Sequence, residues 1–473
     1  MHPLSGIRVI PSRSTVGVVR YATGRTEPGE GDRCVGPRLV RSRLLLDAER
    51  RLGRVDLPAS PRRARGSCCA STGTWTTLGE GASEWAGGVR TVPRGFRCPD
   101  RRDRTATGYR RPVSFGLGVA TTAGDKVLDV RFLTVNFREN VGTAAVLARH
   151  LGEVATGHRI LHRTTINAVL DDLAAFRGEP GHANVEALVR LAQPPRPHVF
   201  PRHELQAIVV ILMDADDHPN TAADVYLRLH LLSLRLTPPR SLNFDGAFGK
   251  LNTNVWTTDG VVDQAQFAGL QSERVLDGRP LVVVLQDKFP RMLDYVSPAG
   301  VRVLNPNSVR LGAHLAEGTV VMSAGAVNFN AGTLGEAMIE GRVSSGVVVG
   351  ARSDVGGGAS LMGTLSGGND AQVSVGEDCL IEAMAGLGIP VGDRVRVEVG
   401  FYVKSTTPIL VVDSPKWRDN PIATPHLGMT VKAIALTGIS DAVFRRNAFN
   451  GTPEVVPRGD RVWGQLNAEL HNN

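Results

Sequence analysis

Glu340 and Arg342, in the string Ile339-Glu-Gly-Arg, put a carboxylate and a guanidinium two positions apart. On an extended strand both side chains leave the same face, because side chains alternate with a period of two. The carboxylate can take a proton, and the guanidinium can grip an anionic group through two parallel hydrogen bonds. Gly356-Gly-Gly and Ser360 follow, and glycine N–H groups admit a close ligand because no Cβ stands in the way. The same spacing suits plainer duties: Glu340 as a corner residue facing water, Arg342 in a structural salt bridge, the glycines at tight turns. His158 and His162 stand at i and i+4, a spacing that lets two rings share a metal on a helix. No third ligand accompanies them, so no metal site is expected.

The elements that must position these groups show in the aliphatic residues. Val309, Leu315, Val321 and Val327 are six positions apart, and Ile339 resumes the count two steps later. Val349, Val355 and Leu361 follow, then Val375, Ile381 and Leu387, then Val391, Val397 and Val403. Six residues make one flat side of a triangular coil, so three units close a turn and stack each aliphatic side chain on its counterpart. The expected fold is a left-handed parallel β-helix of hexapeptide repeats. Small residues beside the aliphatic ones, as in Val349-Gly350, Val355-Gly356 and Val375-Gly376, let the corners turn without a clashing Cβ.

Ahead of the coil, 113–298 reads as an amino-terminal α/β domain. Gly116 to Thr134 alternates around Gly124-Asp125 as a hairpin would. Residues 141–195 read as helices, Ala207 to Met213 as a strand, Ala222 to Leu236 as a helix, and Leu281 to Leu285 as a buried strand. The coil occupies 299–411, interrupted by the turn-rich Gly367-Gly-Asn-Asp, and 412–473 forms a short carboxy-terminal β extension. Residues 1–112 hold 22 Arg, no Lys and 10 acidic residues, a net of +12, whereas the remaining 32 basic and 36 acidic residues give −4. This front lacks any sustained period, so disorder is expected. An upstream extension without a selected function fits it better than a nucleic-acid arm, because no aromatic residues interleave with the Arg. Four of five Cys lie there, so no disulfide framework is implied. With no signal peptide and no apolar run of membrane length, a cytoplasmic protein with neither membrane nor nucleic acid as partner is expected.

The strings Asn328-Phe-Asn-Ala-Gly-Thr-Leu-Gly, Ile339-Glu-Gly-Arg-Val-Ser and Asp354-Val-Gly-Gly-Gly-Ala-Ser-Leu-Met-Gly resemble the tetrahydrodipicolinate N-succinyltransferase family. The likeness extends to Tyr226-Leu-Arg-Leu-His-Leu-Leu-Ser, Asp287-Lys-Phe-Pro-Arg-Met and Phe444-Arg-Arg-Asn. It covers roughly 205 to 473, with a weaker trace near Val113 to Val130, and leaves most of 135–200 outside. The resemblance implies a homotrimer that moves a succinyl group from succinyl-CoA, a co-substrate rather than a permanently bound cofactor, to a cyclic or ring-opened dicarboxylate on the route to diaminopimelate and lysine. It implies active sites between neighbouring coils, with Glu340 as the catalytic carboxylate, either as base or as carrier of an acyl anhydride. Arg342, Gly357, Ser360, Ala383, Glu398, Val399, Lys432, Arg445, Arg446 and Asn447 match its acyl-CoA contacts. Arg228 and Arg291 are the candidates to hold the dicarboxylate.

The chain departs from the family pattern in places. Asn307 and Ala324 stand where relatives carry a magnesium-binding Asp and Glu, so no such metal is expected. Ile381-Glu-Ala-Met-Ala-Gly replaces Leu-Gly-Ala-Asn-Ser-Gly, and Thr406 replaces a cofactor-contacting Gly. Three readings follow: a working succinyltransferase, an acyltransferase with another acyl donor or amine, and a non-catalytic member of mixed trimers.

Overall fold

The computed structural model describes residues 110–459, apart from 153, 180, 195, 196 and 364–371. The Arg-rich front up to residue 109, the loop at Gly367 to Asp370 and four of the five cysteines lie outside the described residues. Two units divide the chain, Met1–Gly81 and Ala82–Asn473, and every described residue belongs to the second.

Strands β1 (Ser114–Ala123) and β2 (Lys126–Phe137) form the expected antiparallel hairpin, with Gly124 at φ 58° in its turn. Helix α1 (Val141–Leu151), strand β3 (Gly157–Ile160), helices α2 (Arg163–Asp172) and α3 (Ala183–Leu191) and strand β4 (His203–Leu212) follow, and the sheet order is β2-β1-β4-β3. The strand β3 corrects the all-helical reading of 141–195. Gly157 takes φ 139°, closed to other residues, and the segment pairs with Ile208 to Ile211. His158 therefore lies on a strand and His162 stands just before the first turn of α2 without a side-chain capping bond, so the two rings share no helical face.

Helix α4 (Ala222–Ser233) is buried on every side, and its polar residues Asp224, Arg228, His230 and Ser233 are buried with the rest and hydrogen-bonded. Thr221 and Asp224 close its first turn with a capping box. Tyr226 donates to Leu128 O in the sheet, and Ser233 Oγ donates to Ala313 O and accepts from Gly312 N in the coil. One helix thus joins both domains. Strands β5 (Asn254–Thr257) and β6 (Gly260–Asp263), helix α5 (Gln264–Leu276) and strand β7 (Val283–Asp287) complete the front domain, with sheet order β6-β5-β7. The reading of Leu281 to Leu285 as a buried strand needs correction. Leu281 joins the cluster with Val255, Val262 and Leu270, but Val282 and Val283 are exposed, because β7 is an edge strand.

From Val301 onward the chain winds into a left-handed parallel β-helix with three sheets. On one face Val303, Val321, Ile339, Val355, Ile381, Val397 and Phe444 are successive partners; on the second, Val327, Val343, Leu361, Leu387 and Val403; on the third, Thr333, Val349 and Val375. Every aliphatic residue picked out by the period of six is buried, each worth roughly 1.5–3 kcal/mol. The break in the count is Thr333, also fully buried, whose hydroxyl bonds Thr319 Oγ1 and accepts from Ala316 N. The corners need glycine for proximity: a Cβ on Gly350 would stand 2.5 Å from the Gly376 carbonyl, and one on Gly356 2.8 Å from Ala383 N. The carboxy-terminal strands Ala442–Arg446, Pro453–Pro457, Pro408–Val411 and Thr430–Lys432 extend the first face in that spatial order.

Candidate active site

A coil with flat faces has no pocket, and this one acquires a notch where a corner is cut short. Six positions separate Val321 from Val327, Val355 from Leu361 and Ile381 from Leu387, but only four separate Ile339 from Val343. The missing length falls at Glu340-Gly341. Coils on either side keep full corners, and a cavity of about 440 Å³ opens among Ala324, Gly341, Arg342, Gly358, Ser360 and Tyr402.

The shortened corner also rearranges the hydrogen bonds. In the coils above, Met384 N donates to Gly357 O and Gly400 N to Ala383 O, each linking one corner to the next. Gly341 O accepts instead from Ala326 N, in the coil on its other side. Among the described residues, the N–H groups of Gly357 and Gly358 then have no acceptor.

Glu340 shares its register with Glu382 and Glu398, since each follows one of the paired residues Ile339, Ile381 and Val397. Glu382 accepts from Val399 N at 2.9 Å and pairs with Arg396, and Glu398 accepts from Arg446 N at 3.1 Å. Glu340 has no such cap among the described residues. Its carboxylate is half-buried against Gly357, 3.2 to 3.4 Å from where a Cβ would be. Arg342, exposed in the notch, donates to the buried hydroxyl of Ser360 at 2.7 Å, one coil above. The spacing had put Glu340 and Arg342 on one face; instead they lie on either side of the cut corner.

The other expected residues divide into groups. Gly357, Ala383 and Val399 follow Glu340 up the same corner in successive coils, with Glu398 and Arg446 at its far end. Arg445 and Asn447 are both held by the buried Glu454, at 2.8 and 3.0 Å, and a second cavity of about 210 Å³ opens among Arg396, Glu398, Arg445 and Arg458. Lys432 lies apart, on a strand separated from Ala442–Arg446 by two others. Arg291 sits beneath the coil, fastened to both oxygens of Asp294 and donating to Asn307 Oδ1 at 3.0 Å. Arg228 is a correction. It has no exposed surface: its Nη atoms bond Asp224 and Asp217 O, its buried Nε has no partner among the described residues, and burial lowers its pKa, so it anchors α4 and does not face solvent. The sequence reading had singled out the Gly356 to Gly358 run for its N–H groups but missed Met362 and Tyr402 as lining of the notch. The one available signal was Val343, four positions after Ile339 rather than six. Among the described residues no group of three or more His, Cys, Asp or Glu is disposed to hold a metal.

Coil and notch together define a transferase of the hexapeptide-repeat class. Residues 101–249 match the family described as tetrahydrodipicolinate N-succinyltransferase N-terminal, and 372–405 match the hexapeptide repeat of succinyl-transferase. The 2,3,4,5-tetrahydropyridine-2,6-dicarboxylate N-succinyltransferase of Pseudomonas aeruginosa is 47% identical over 360 residues, 76% of this chain and 97% of the relative. The protein of that name from Vibrio cholerae is 48% identical over 268 residues, 57% of this chain and 75% of the relative. A crystal structure from Campylobacter jejuni, described as a 2,3,4,5-tetrahydropyridine-2-carboxylate N-succinyltransferase, superposes with a TM-score of 0.70 at 31% identity, covering 77% of this chain and 97% of that one. The chain belongs to the tetrahydrodipicolinate N-succinyltransferase family. Its helical stretch 141–195 lies inside the matched amino-terminal region, which corrects the placement of most of 135–200 outside the resemblance.

Proposed function

We propose that this enzyme transfers the succinyl group of succinyl-CoA to the amino group of tetrahydrodipicolinate or its ring-opened form, serving diaminopimelate and lysine synthesis. The observation that carries the reading is the uncapped Glu340 beside two unbonded glycine amides, at a corner where the equivalent glutamates are capped. Glu340 removes a proton from the amine as its nitrogen bonds to the thioester carbonyl carbon. Gly357 and Gly358 N–H groups receive the developing oxyanion, and the carbon–sulfur bond then breaks, the proton held by Glu340 passing to the leaving sulfur to give the thiol. Arg342, held by Ser360, grips a carboxylate. The long arm of the co-substrate runs up the corner past Gly357, Ala383 and Val399, four coil steps or roughly 19 Å, to the cations Arg445 and Arg446. Asn447 and Lys432 complete that contact set, Lys432 from a neighbouring copy. Arg291 is the candidate for the second carboxylate.

The notch is open to one side, so three copies meeting edge to edge supply its remaining wall. No described helix is long and apolar enough to cross a membrane, in keeping with an enzyme of small, charged metabolites. The change from mixed sheet to coil near Val301 supports the domain limits of 113–298, 299–411 and 412–473, although the strand Pro408–Val411 already pairs within the carboxy-terminal extension.

The test is thiol release from succinyl-CoA with tetrahydrodipicolinate present. Release should require the acceptor, and Glu340→Gln should lower it at least about 100-fold without altering the melting temperature. Folded protein that gives no acceleration over buffer would defeat the proposal. A different acyl donor is the second reading, favoured by the exposed Met384 and Thr406 along the channel; a panel in which only succinyl-CoA reacts would remove it.

A further inference from the structure

Met384 occupies a backbone position at φ 58°, a left-handed conformation that glycine and asparagine adopt with least strain. Its side chain is 58% exposed, yet it does not point freely to water. The sulfur lies on Gly358, so closely that a Cβ there would overlap it. Gly358 and its neighbour Gly357 carry the two N–H groups without acceptors, next to the Glu340 carboxylate. A long apolar side chain is thus kept at a strained, largely exposed corner against Gly358, one of the two glycines whose N–H groups would meet a thioester. Backbone preference argues against a methionine there, and packing does not call for one, because the core of that coil is filled by Ile381, Ala385 and Leu387.

We propose that Met384 is a shielding residue for the acyl donor: its thioether covers the thioester carbonyl at the Gly357–Gly358 amides and excludes water from it. This rests on the acyl-transfer reading above. Two nucleophiles compete for the same carbonyl carbon. Attack by the amine forms the amide and releases the thiol, the amine proton passing to Glu340. Attack by water forms the free carboxylic acid and releases the same thiol, which wastes the donor. An apolar cover lowers the local dielectric, strengthens the two N–H donors and leaves the larger, tightly bound amine as the favoured nucleophile. The flexible, unbranched methionine can follow the donor as it enters and leaves.

The experiment compares acceptor-independent with acceptor-dependent thiol release from succinyl-CoA in wild type, Met384→Asn and Met384→Leu. The asparagine variant relieves the backbone, so its melting temperature should be unchanged or higher, while its ratio of hydrolysis to transfer rises several-fold. The leucine variant should keep the wild-type ratio. An unchanged ratio in Met384→Asn, with wild type transferring normally, overturns the shielding role and leaves the acyl-transfer reading intact. Wild type that transfers nothing to tetrahydrodipicolinate overturns both.

Discussion

Glu382 and Glu398 each accept a backbone N–H from the coil above, which fixes their carboxylates as caps. Glu340 stands in the same register, but the shortened corner leaves it without one among the described residues, so its oxygens are available to a substrate proton. Arg342 is the second residue whose role turns on one contact. Its Nη2 donates to Ser360 Oγ at 2.7 Å, which leaves the rest of a planar fork to face a carboxylate. Lysine would keep the charge and lose the fork. Arg342→Lys should therefore raise the KM for succinyl-CoA by about tenfold, the equivalent of one charge-assisted hydrogen bond, with a smaller effect on kcat. A kinetic comparison at saturating acceptor would read this directly. Glu340 and Arg342 were both legible in the sequence as a pair of chemical groups. What it did not reveal was which glutamate of three in register is free, because that depends on hydrogen bonds between coils.

At the scale of elements, the coil depends on its corners as much as on its buried column. Gly350 stacks against Gly376 with backbone on the far side, and neither can retreat. Gly350→Ala should cost about 1–3 kcal/mol, seen as a lower urea midpoint with an unchanged slope. Helix α4 carries a second expectation. His230 is fully enclosed, its Nδ1 on Tyr226 O and its ring edge-on to Phe132 and Tyr295, and burial lowers its pKa from 6.5 to about 4. It is neutral in the folded protein and gains a proton more readily when unfolded. Its contribution is therefore complete above pH 6.5 and is lost as pH falls towards 4, amounting to about 3 kcal/mol. Melting temperatures measured between pH 7 and 4.5 should fall less steeply in His230→Phe than in wild type. Period-six spacing made the column readable, but the helical period read over 141–195 hid β3, and the apolar run at Leu281 to Leu285 hid the exposure of β7. Their states were set by which neighbours they pair with, not by their own apolar content.

The whole molecule presents its notch at a corner of the coil, open along one side and flanked by the column that ends at Arg445 and Arg446. A single chain supplies a floor and one wall. If the opposite wall is a second copy, native mass measurement should give a particle of three chains, and dilution to monomers should abolish thiol release before it lowers the helical or strand content. What the sequence by itself determined was the coil, its buried residues and the strings that carry the family likeness, because a repeat built from local spacing writes its own core into the chain. Only the tertiary structure decided that Arg228 is a buried anchor, that Lys432 lies apart from Arg445, and that Glu340, alone of its register, has no cap among the described residues. Each of those outcomes depends on contacts between residues far apart in the chain, where burial and competing hydrogen-bond partners determine what a side chain is free to do.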